Sequence, residues 1–251
     1  MIADDLEPPD LLDLSVVIPA YNEEHRLPQT LLSILEYFDA RKLSYEVIVV
    51  DACSRDSTAK VVRQFSRLSP QVKLLMCPRN RGKGYAVRLG MMNALGALIL
   101  YDDADGASPI EEFARLEAAM NLGADIAIGS RAIFAADTAV KTIFIRKAMG
   151  RVFNLLVNLL LLPQITDTQC GFKLFRRAVA RRIFSQQHAD GFSFDVEILF
   201  LAKRAGFKIT EVPINWTNVP GSKVNLIKDS LLMFIDVVRF RLRDLFGGYS
   251  N

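Results

Sequence analysis

The chain of 251 residues contains only two histidines, three cysteines and one tryptophan. His25 stands where a helix is expected to begin and His188 lies in a polar stretch, so both are read as surface residues and neither supports histidine acid–base chemistry. Cys53, Cys77 and Cys170 are scattered, with no C-x-x-C and no zinc-like spacing. Their odd number argues against a disulfide framework and for reduced thiols in a cytoplasmic setting. The first ten residues, MIADDLEPPD, are acidic and carry prolines, unlike a signal peptide. No apolar run reaches the ~18–20 residues of a spanning helix. A net charge of +3 is too mild to indicate a nucleic-acid binder, and internal repeats and low-complexity tracts are absent. A glycine-rich phosphate loop after the first strand is also missing, which disfavours a nucleotidyltransferase.

What is present is a core-forming composition. Hydrophobic residues make up 51% of a chain long enough for one large domain, or one domain with an added lobe. Basic residues are unevenly spread. Between residues 139 and 187 nine of them (Lys141, Arg146, Lys147, Arg151, Lys173, Arg176, Arg177, Arg181, Arg182) face one acid, Asp167. Such an excess is either a solvated face or the complement of an anionic partner. Two stretches are strongly apolar without being long enough to span: 152–162, and 226–246 with Arg239, Arg241 and Arg243 near its end. They read as buried helices or as helices lying in a membrane interface.

The first half alternates strand and helix patterns. Strands are expected at 15–19, 45–51, 72–76, 97–101 and 125–128, with helices at 27–37, from the Ser54–Thr58 capping region through Phe65, at 84–95 and at 109–120. The strands are continuously apolar, so both faces are buried and the sheet is mostly parallel and doubly wound, flanked by helices. Residues 136–190 read as helical and basic, followed by a helix near 192–205, a returning strand near 207–214 and an amphipathic C-terminal helix. This gives a nucleotide-binding half at 11–135, an acceptor-side part at 136–215 and a membrane-proximal segment at 216–251.

Polar residues follow the strand ends: Pro19-Ala20-Tyr21-Asn22-Glu23, Asp51, Asp103 with Asp105, and Arg131. Ligands of such sheets bind beyond the carboxyl ends of the strands, so these groups should converge. Asp103 and Asp105, one residue apart at a strand tip, suit a hard divalent cation on a diphosphate, although the same pattern also makes an ordinary turn.

The stretch 15–24 (SVVIPAYNEE), the strand ending in Asp51 and the Asp103-Ala104-Asp105 tip together resemble the family 2 glycosyltransferases of GT-A fold. Asn80-Arg81-Gly82-Lys83-Gly84, Gly129-Ser130-Arg131, the run 167–175 (DTQCGFKLF), 194–197 (FDVE) and 212–217 (VPINWT) are similar to one branch, the dolichyl-phosphate β-glucosyltransferases, with the dolichyl-phosphate mannose synthases as near relatives. The resemblance implies inverting transfer of glucose from UDP-glucose to a polyprenyl monophosphate, with Mg2+ or Mn2+, by a peripheral enzyme at the cytoplasmic face of a membrane. It implies that Pro19, Ala20, Tyr21, Glu23, Asp51 and Asp103 bind the donor, together with Arg81 and Lys83 near its phosphates. Asp103 and Asp105 are the implied metal ligands, and Asp103, Asp105, Arg131 and Asp195 the implied catalytic groups. Arg146, Arg151, Asp167, Gln169 and Lys173 are implied on the acceptor side.

Two departures stand out. The family's Asp-Asp-Gly-Ser is Asp51-Ala52-Cys53-Ser54 here, and the N-terminal membrane helix of the eukaryotic enzymes has no counterpart. Another donor, GDP-mannose or UDP-N-acetylglucosamine, and a catalytically silent nucleotide-sugar binder therefore stay open as alternatives.

Overall fold

The computed structural model describes residues 12–141, 144–221 and 226–249, with the side chains of 144–149, 151–152 and 226–228 left out of the description. The first half runs β1 (Leu12–Ala20), α1 (Leu27–Arg41), β2 (Tyr45–Asp51), α2 (Thr58–Leu68), β3 (Val72–Met76), α3 (Lys83–Asn93), β4 (Gly96–Asp102), α4 (Phe113–Asn121) and β5 (Ile126–Ser130). The second half adds β6 (Val140–Lys141), α5 (Phe144–Leu160), β7 (Phe172–Arg176), α6 (Arg177–Ser185), α7 (Phe194–Arg204), β8 (Ile209–Pro213), β9 (Trp216–Thr217) and α8 (Leu226–Leu245).

Seven strands form one sheet in the order β3-β2-β1-β4-β7-β5-β8, and β6 pairs with β9 in a small second sheet. All neighbours in the large sheet are parallel except β7, which is antiparallel to both β4 and β5. β7 corrects the sequence reading, which placed residues 172–176 inside a helical stretch. Five residues mixing Phe, Leu, Lys and Arg carry little local strand signal, and their pairing partners lie about fifty or more positions away in sequence.

The apolar strands bury both faces. Val17, Val50, Ile99, Tyr101, Ile128 and Phe175 pack into one core with α3 and the helices of the second half. Val16, Ile18, Val49, Leu100 and Leu174 pack into the other with α1 and α4. From β1 the chain builds outward through β2 and β3, then returns to place β4 on the opposite side of β1. The crevice past the ends of β1 and β4 is therefore the switch point where such sheets open to ligands.

Candidate active site

A cavity of about 380 Å3 occupies that crevice. Its lining includes Pro19 and Ala20 at the end of β1, Tyr21 and Glu23 after it, Ala52 after β2, Lys83 at the start of α3, and Asp103 with Asp105 after β4. The loops after β1 and β2 are stitched together. Asn22 N–H donates to Ser54 Oγ at 2.9 Å, Arg55 N–H to Asn22 Oδ1 at 2.8 Å, and Glu23 N–H to Thr58 Oγ1 at 2.8 Å. Asp51 is buried at the tip of β2, where the Ser54 amide approaches its carboxylate at 3.3 Å. Cys53 stands at φ 60°, in the left-handed region that suits glycine. Cys53 thus takes a conformation that glycine adopts more easily, at the position where the resembling motif has glycine.

The carboxylates after β4 differ in setting. Asp102 is buried at the strand end, and burial, reinforced by Asp103 and Asp105, pushes its carboxyl well above the usual carboxylate range. Asp103 Oδ1 accepts the Tyr101 hydroxyl at 2.9 Å and lies 2.7 Å from Lys83 Nζ. Its own N–H donates to Gly171 O at 3.1 Å, and a Cβ on Gly171 would collide with its carboxylate. The DTQCGF turn therefore packs directly against Asp103, and a side chain at position 171 would displace the carboxylate. Asp105 accepts the Ala107 N–H at 3.1 Å and lies 3.8 Å from Arg26. Burial and the neighbouring Asp103 charge push the Asp105 carboxyl up.

That electrostatic pattern fits a divalent cation. Two hard oxygen donors crowd each other, and a cation between them relieves both the repulsion and the desolvation. No cluster of three or more His, Cys, Asp or Glu able to hold a metal is assembled among the described residues. Asp103 and Asp105 can thus supply part of a coordination sphere, leaving the rest to substrate phosphates and water, as magnesium sites commonly do.

The remaining predicted residues are placed as follows. Arg131, at the end of β5, clamps Asp167 with two side-chain bonds of 2.7 and 2.8 Å plus its own N–H at 2.9 Å, and lies over the Trp216 ring. Burial raises the Asp167 carboxyl, yet the Arg131 charge, the side-chain and backbone hydrogen bonds from Arg131 and the Lys173 charge hold it below its ordinary value. Lys173 and Asp195 form an ion pair of 2.5 Å beneath the cavity, with Lys173 fully buried. Arg81 pairs with Asp190 and stacks on Tyr85, outside the cavity lining. Gln169 reaches across to α8 through a 3.0 Å contact with Met233 Sδ. The side chains of Arg146 and Arg151, on α5, lie outside the described residues.

The fold also adds residues that the sequence reading missed. Arg26 lines the cavity, is held by Glu23, and donates to Pro220 O at 3.1 Å. Its spacing of three from Glu23 at a helix start was the available signal. Gly191 and Phe192 form a further wall. Buried Glu197 on α7 fixes that loop, accepting the His188 and Ala189 N–H groups at 3.0 and 2.7 Å and the Tyr249 hydroxyl at 2.7 Å. Nothing local in the sequence announces this long-range wall.

Comparison with known proteins agrees with this arrangement. A profile of glycosyl transferase family 2 matches residues 15–184. The chain is 40% identical over 260 residues to the dolichyl-phosphate beta-glucosyltransferase of Dictyostelium discoideum, covering 98% of this chain and 79% of that protein. It is 39% identical over 249 residues to the human protein of the same name, covering 94% and 77%. Among solved structures, mannosyl-3-phosphoglycerate synthase from Rubrobacter xylanophilus superposes with a TM-score of 0.70 at 18% identity, over 96% of this chain and 76% of that one. Glucosyl-3-phosphoglycerate synthase from Mycobacterium tuberculosis, solved with Mn2+, UDP and glucosyl-3-phosphoglycerate, gives 0.66 at 19%, over 92% and 79%. The strand-end carboxylates, the crevice at the sheet's switch point and these matches lead to one assignment: the chain belongs to glycosyl transferase family 2 and is a glycosyltransferase of GT-A fold.

Proposed function

We propose that this transferase moves glucose from UDP-glucose to a polyprenyl monophosphate of dolichyl type, with inversion, at a membrane surface. The observation that carries the reading is the meeting of Asp103, Asp105, Lys83 and Arg26 around one cavity at the sheet's switch point. Two carboxylates and two cations there suit a diphosphate with a divalent ion. The similarity of nearly the whole chain to dolichyl-phosphate beta-glucosyltransferases favours glucose and a prenyl phosphate over other partners.

In this reading the loops after β1 and β2 hold the nucleoside, with Pro19, Ala20, Tyr21, Glu23 and Ala52 as cavity wall and Asp51 behind them. Asp103 and Asp105 hold Mg2+ or Mn2+, which supplies Lewis-acid neutralisation of the diphosphate leaving group. Lys83 and Arg26 contribute fixed positive charge on the same side, worth most where water is excluded. The acceptor phosphate monoester, with a second pKa of about 6, is already anionic at neutral pH, so no strong general base is needed. This agrees with the scarcity of histidine.

The membrane part of the reading is supported by α8. No helix among the described residues is long and apolar enough to cross a membrane. Yet Leu231, Ile235, Val238, Leu242 and Leu245 recur at helical spacing and are exposed, with Leu155 and Leu159 of α5 exposed as well. An interfacial helix presents such a stripe, with arginines beside it.

The decisive test is transfer from radiolabelled UDP-glucose to a short-chain polyprenyl phosphate, with Mn2+ and with EDTA. Metal-dependent, acid-labile lipid-linked glucose is expected. Asp105→Asn should lower Mn2+-dependent UDP binding by about a hundredfold, since a charged ligand is lost. Retained binding with unaltered metal dependence would remove Asp105 from the metal site. Absence of glucose transfer alongside activity with GDP-mannose or UDP-N-acetylglucosamine would replace the donor, and UDP binding without any turnover would mark a silent binder.

A further inference from the structure

Beneath Asp103 lies a buried charged layer that the reaction itself does not call for. Tyr101 is fully buried on β4, and its hydroxyl donates to Asp103 Oδ1 at 2.9 Å. Two ammonium groups lie over its ring, Lys83 Nζ at 5.6 Å and Lys173 Nζ at 5.7 Å from the ring centroid. Lys173 is the register partner of Tyr101 across the antiparallel β4–β7 pair. There it is completely buried, pairs with Asp195 at 2.5 Å and donates to Cys170 O. Phe194, next to Asp195, meets the Tyr101 ring edge-on with centroids 5.7 Å apart.

Burying a lysine–aspartate pair brings little net stability, because apolar residues of the same size would serve as well or better. The pair does fix a geometry. Lys173 carries a positive charge to the Tyr101 ring, Phe194 packs against that ring, and the phenol hydroxyl donates to Asp103. Gly171, in the same turn as Cys170, packs directly against the Asp103 carboxylate. Asp103 is thus held by the Tyr101 hydroxyl, the Lys83 ammonium and the Gly171 backbone.

Resting on the reading that Asp103 and Asp105 take a divalent cation together with UDP, we propose that Tyr101 is a positioning residue for Asp103, locked by the buried Lys173–Asp195 pair. The hydroxyl restrains one carboxylate oxygen, so the cation meets a preset ligand and orders no flexible side chain on binding. Lys173 and Asp195 then act through Tyr101 and touch neither substrate.

The test uses the full chain and Mn2+ as the probe, titrated in the presence of UDP and followed by the paramagnetic resonance of free Mn2+. Tyr101→Phe keeps the ring and removes the hydroxyl. The expected result is a rise of about tenfold in the half-saturating Mn2+ concentration, as for loss of one hydrogen bond to a charged group. UDP binding at saturating Mn2+ should be unchanged, a split that a merely structural role would not produce. An unchanged Mn2+ midpoint in folded Tyr101→Phe overturns the proposal. The double variant Lys173→Met/Asp195→Leu, which removes both buried charges at once, should show the same rise while staying folded. A folded double variant with the wild-type midpoint overturns the role of the pair. Wild-type protein that binds UDP with no response to Mn2+ overturns the functional reading itself, and the proposal with it.

Discussion

At the residue scale the Arg131–Asp167 clamp shows how a predicted site residue also serves the fold. Asp167 is buried, accepts three hydrogen bonds from Arg131 and one from the Gln169 amide, and is held below its ordinary pKa of 3.8. A carboxylate whose folded pKa is depressed contributes stability that is present above its unfolded pKa and lost as pH falls through the folded value. Asp167→Asn should therefore cost about 2–3 kcal/mol at pH 7, somewhat below the 3–5 typical of a broken buried pair because Arg131 keeps access to water. Chemical denaturation at several pH values checks this. The gap between variant and wild type should be constant above about pH 4 and close below it, because carboxylates common to both cancel. A gap that does not narrow at all as pH falls below about 4 would mean that shape rather than charge is what Asp167 supplies. The same clamp explains why Arg131 was legible from sequence as a strand-end cation while its partner was assigned only to the acceptor side. Spacing locates strand ends, but it does not say which charges meet across thirty-six residues.

Among the elements, α3 shows a competition between local propensity and packing. Gly90 lies mid-helix and buried, where alanine would favour the helix by about 1 kcal/mol. A Cβ there, however, would press on Val17 of β1 and come within 2.9 Å of Val50 Cγ2 on β2. Overpacking against two β-branched side chains of a central sheet costs about 1–3 kcal/mol. Set against the helix gain, Gly90→Ala should accordingly destabilise by up to about 2 kcal/mol, measured by the denaturant midpoint. A more stable variant would show that α3 can lift off the sheet. This close approach matters for the site because α3 begins at Lys83, so the helix depth sets the reach of that ammonium to Asp103. Much of this was readable: the five parallel strands of the first half, their helices and the strand-end cluster follow from apolar runs and turn residues. β7 was not, since FKLFR reads as basic and helical until β4 and β5 accept it as a neighbour and Asp195 neutralises its lysine. The Gly191-Phe192 wall was likewise silent, because a buried glutamate on α7 and the C-terminal Tyr249 hold it in place.

For the molecule as a whole, α8 is apolar on two opposite faces, which a helix that merely covers a core does not need. Met233, Val237 and Phe240 are buried against the rest of the protein. Leu231, Ile235, Val238, Leu242 and Leu245 follow one another at steps of four and three residues on the other side and remain exposed. The exposed arginines Arg239 and Arg241 fall at positions that flank this second stripe, one on each side, where their charged heads can sit among lipid phosphates while the stems lie along apolar surface. If this stripe carries the enzyme to the proposed lipid acceptor, the full chain should sediment with vesicles. Binding should be stronger to anionic than to neutral ones, by up to about 1 kcal/mol for each basic residue near the surface, and that excess should vanish in high salt. Leu231→Glu combined with Leu242→Glu places charge on the exposed stripe without touching the buried one. Vesicle binding should fall at least tenfold, since two leucines lose their transfer from water, while Mn2+-dependent UDP binding in solution stays as it is. Transfer to a prenyl phosphate dissolved in detergent should then survive better than transfer to the same lipid in vesicles, because only the second requires the protein to find a surface. Equal loss in both would place these leucines against the prenyl chain itself, and equal retention would leave the second face without a membrane role.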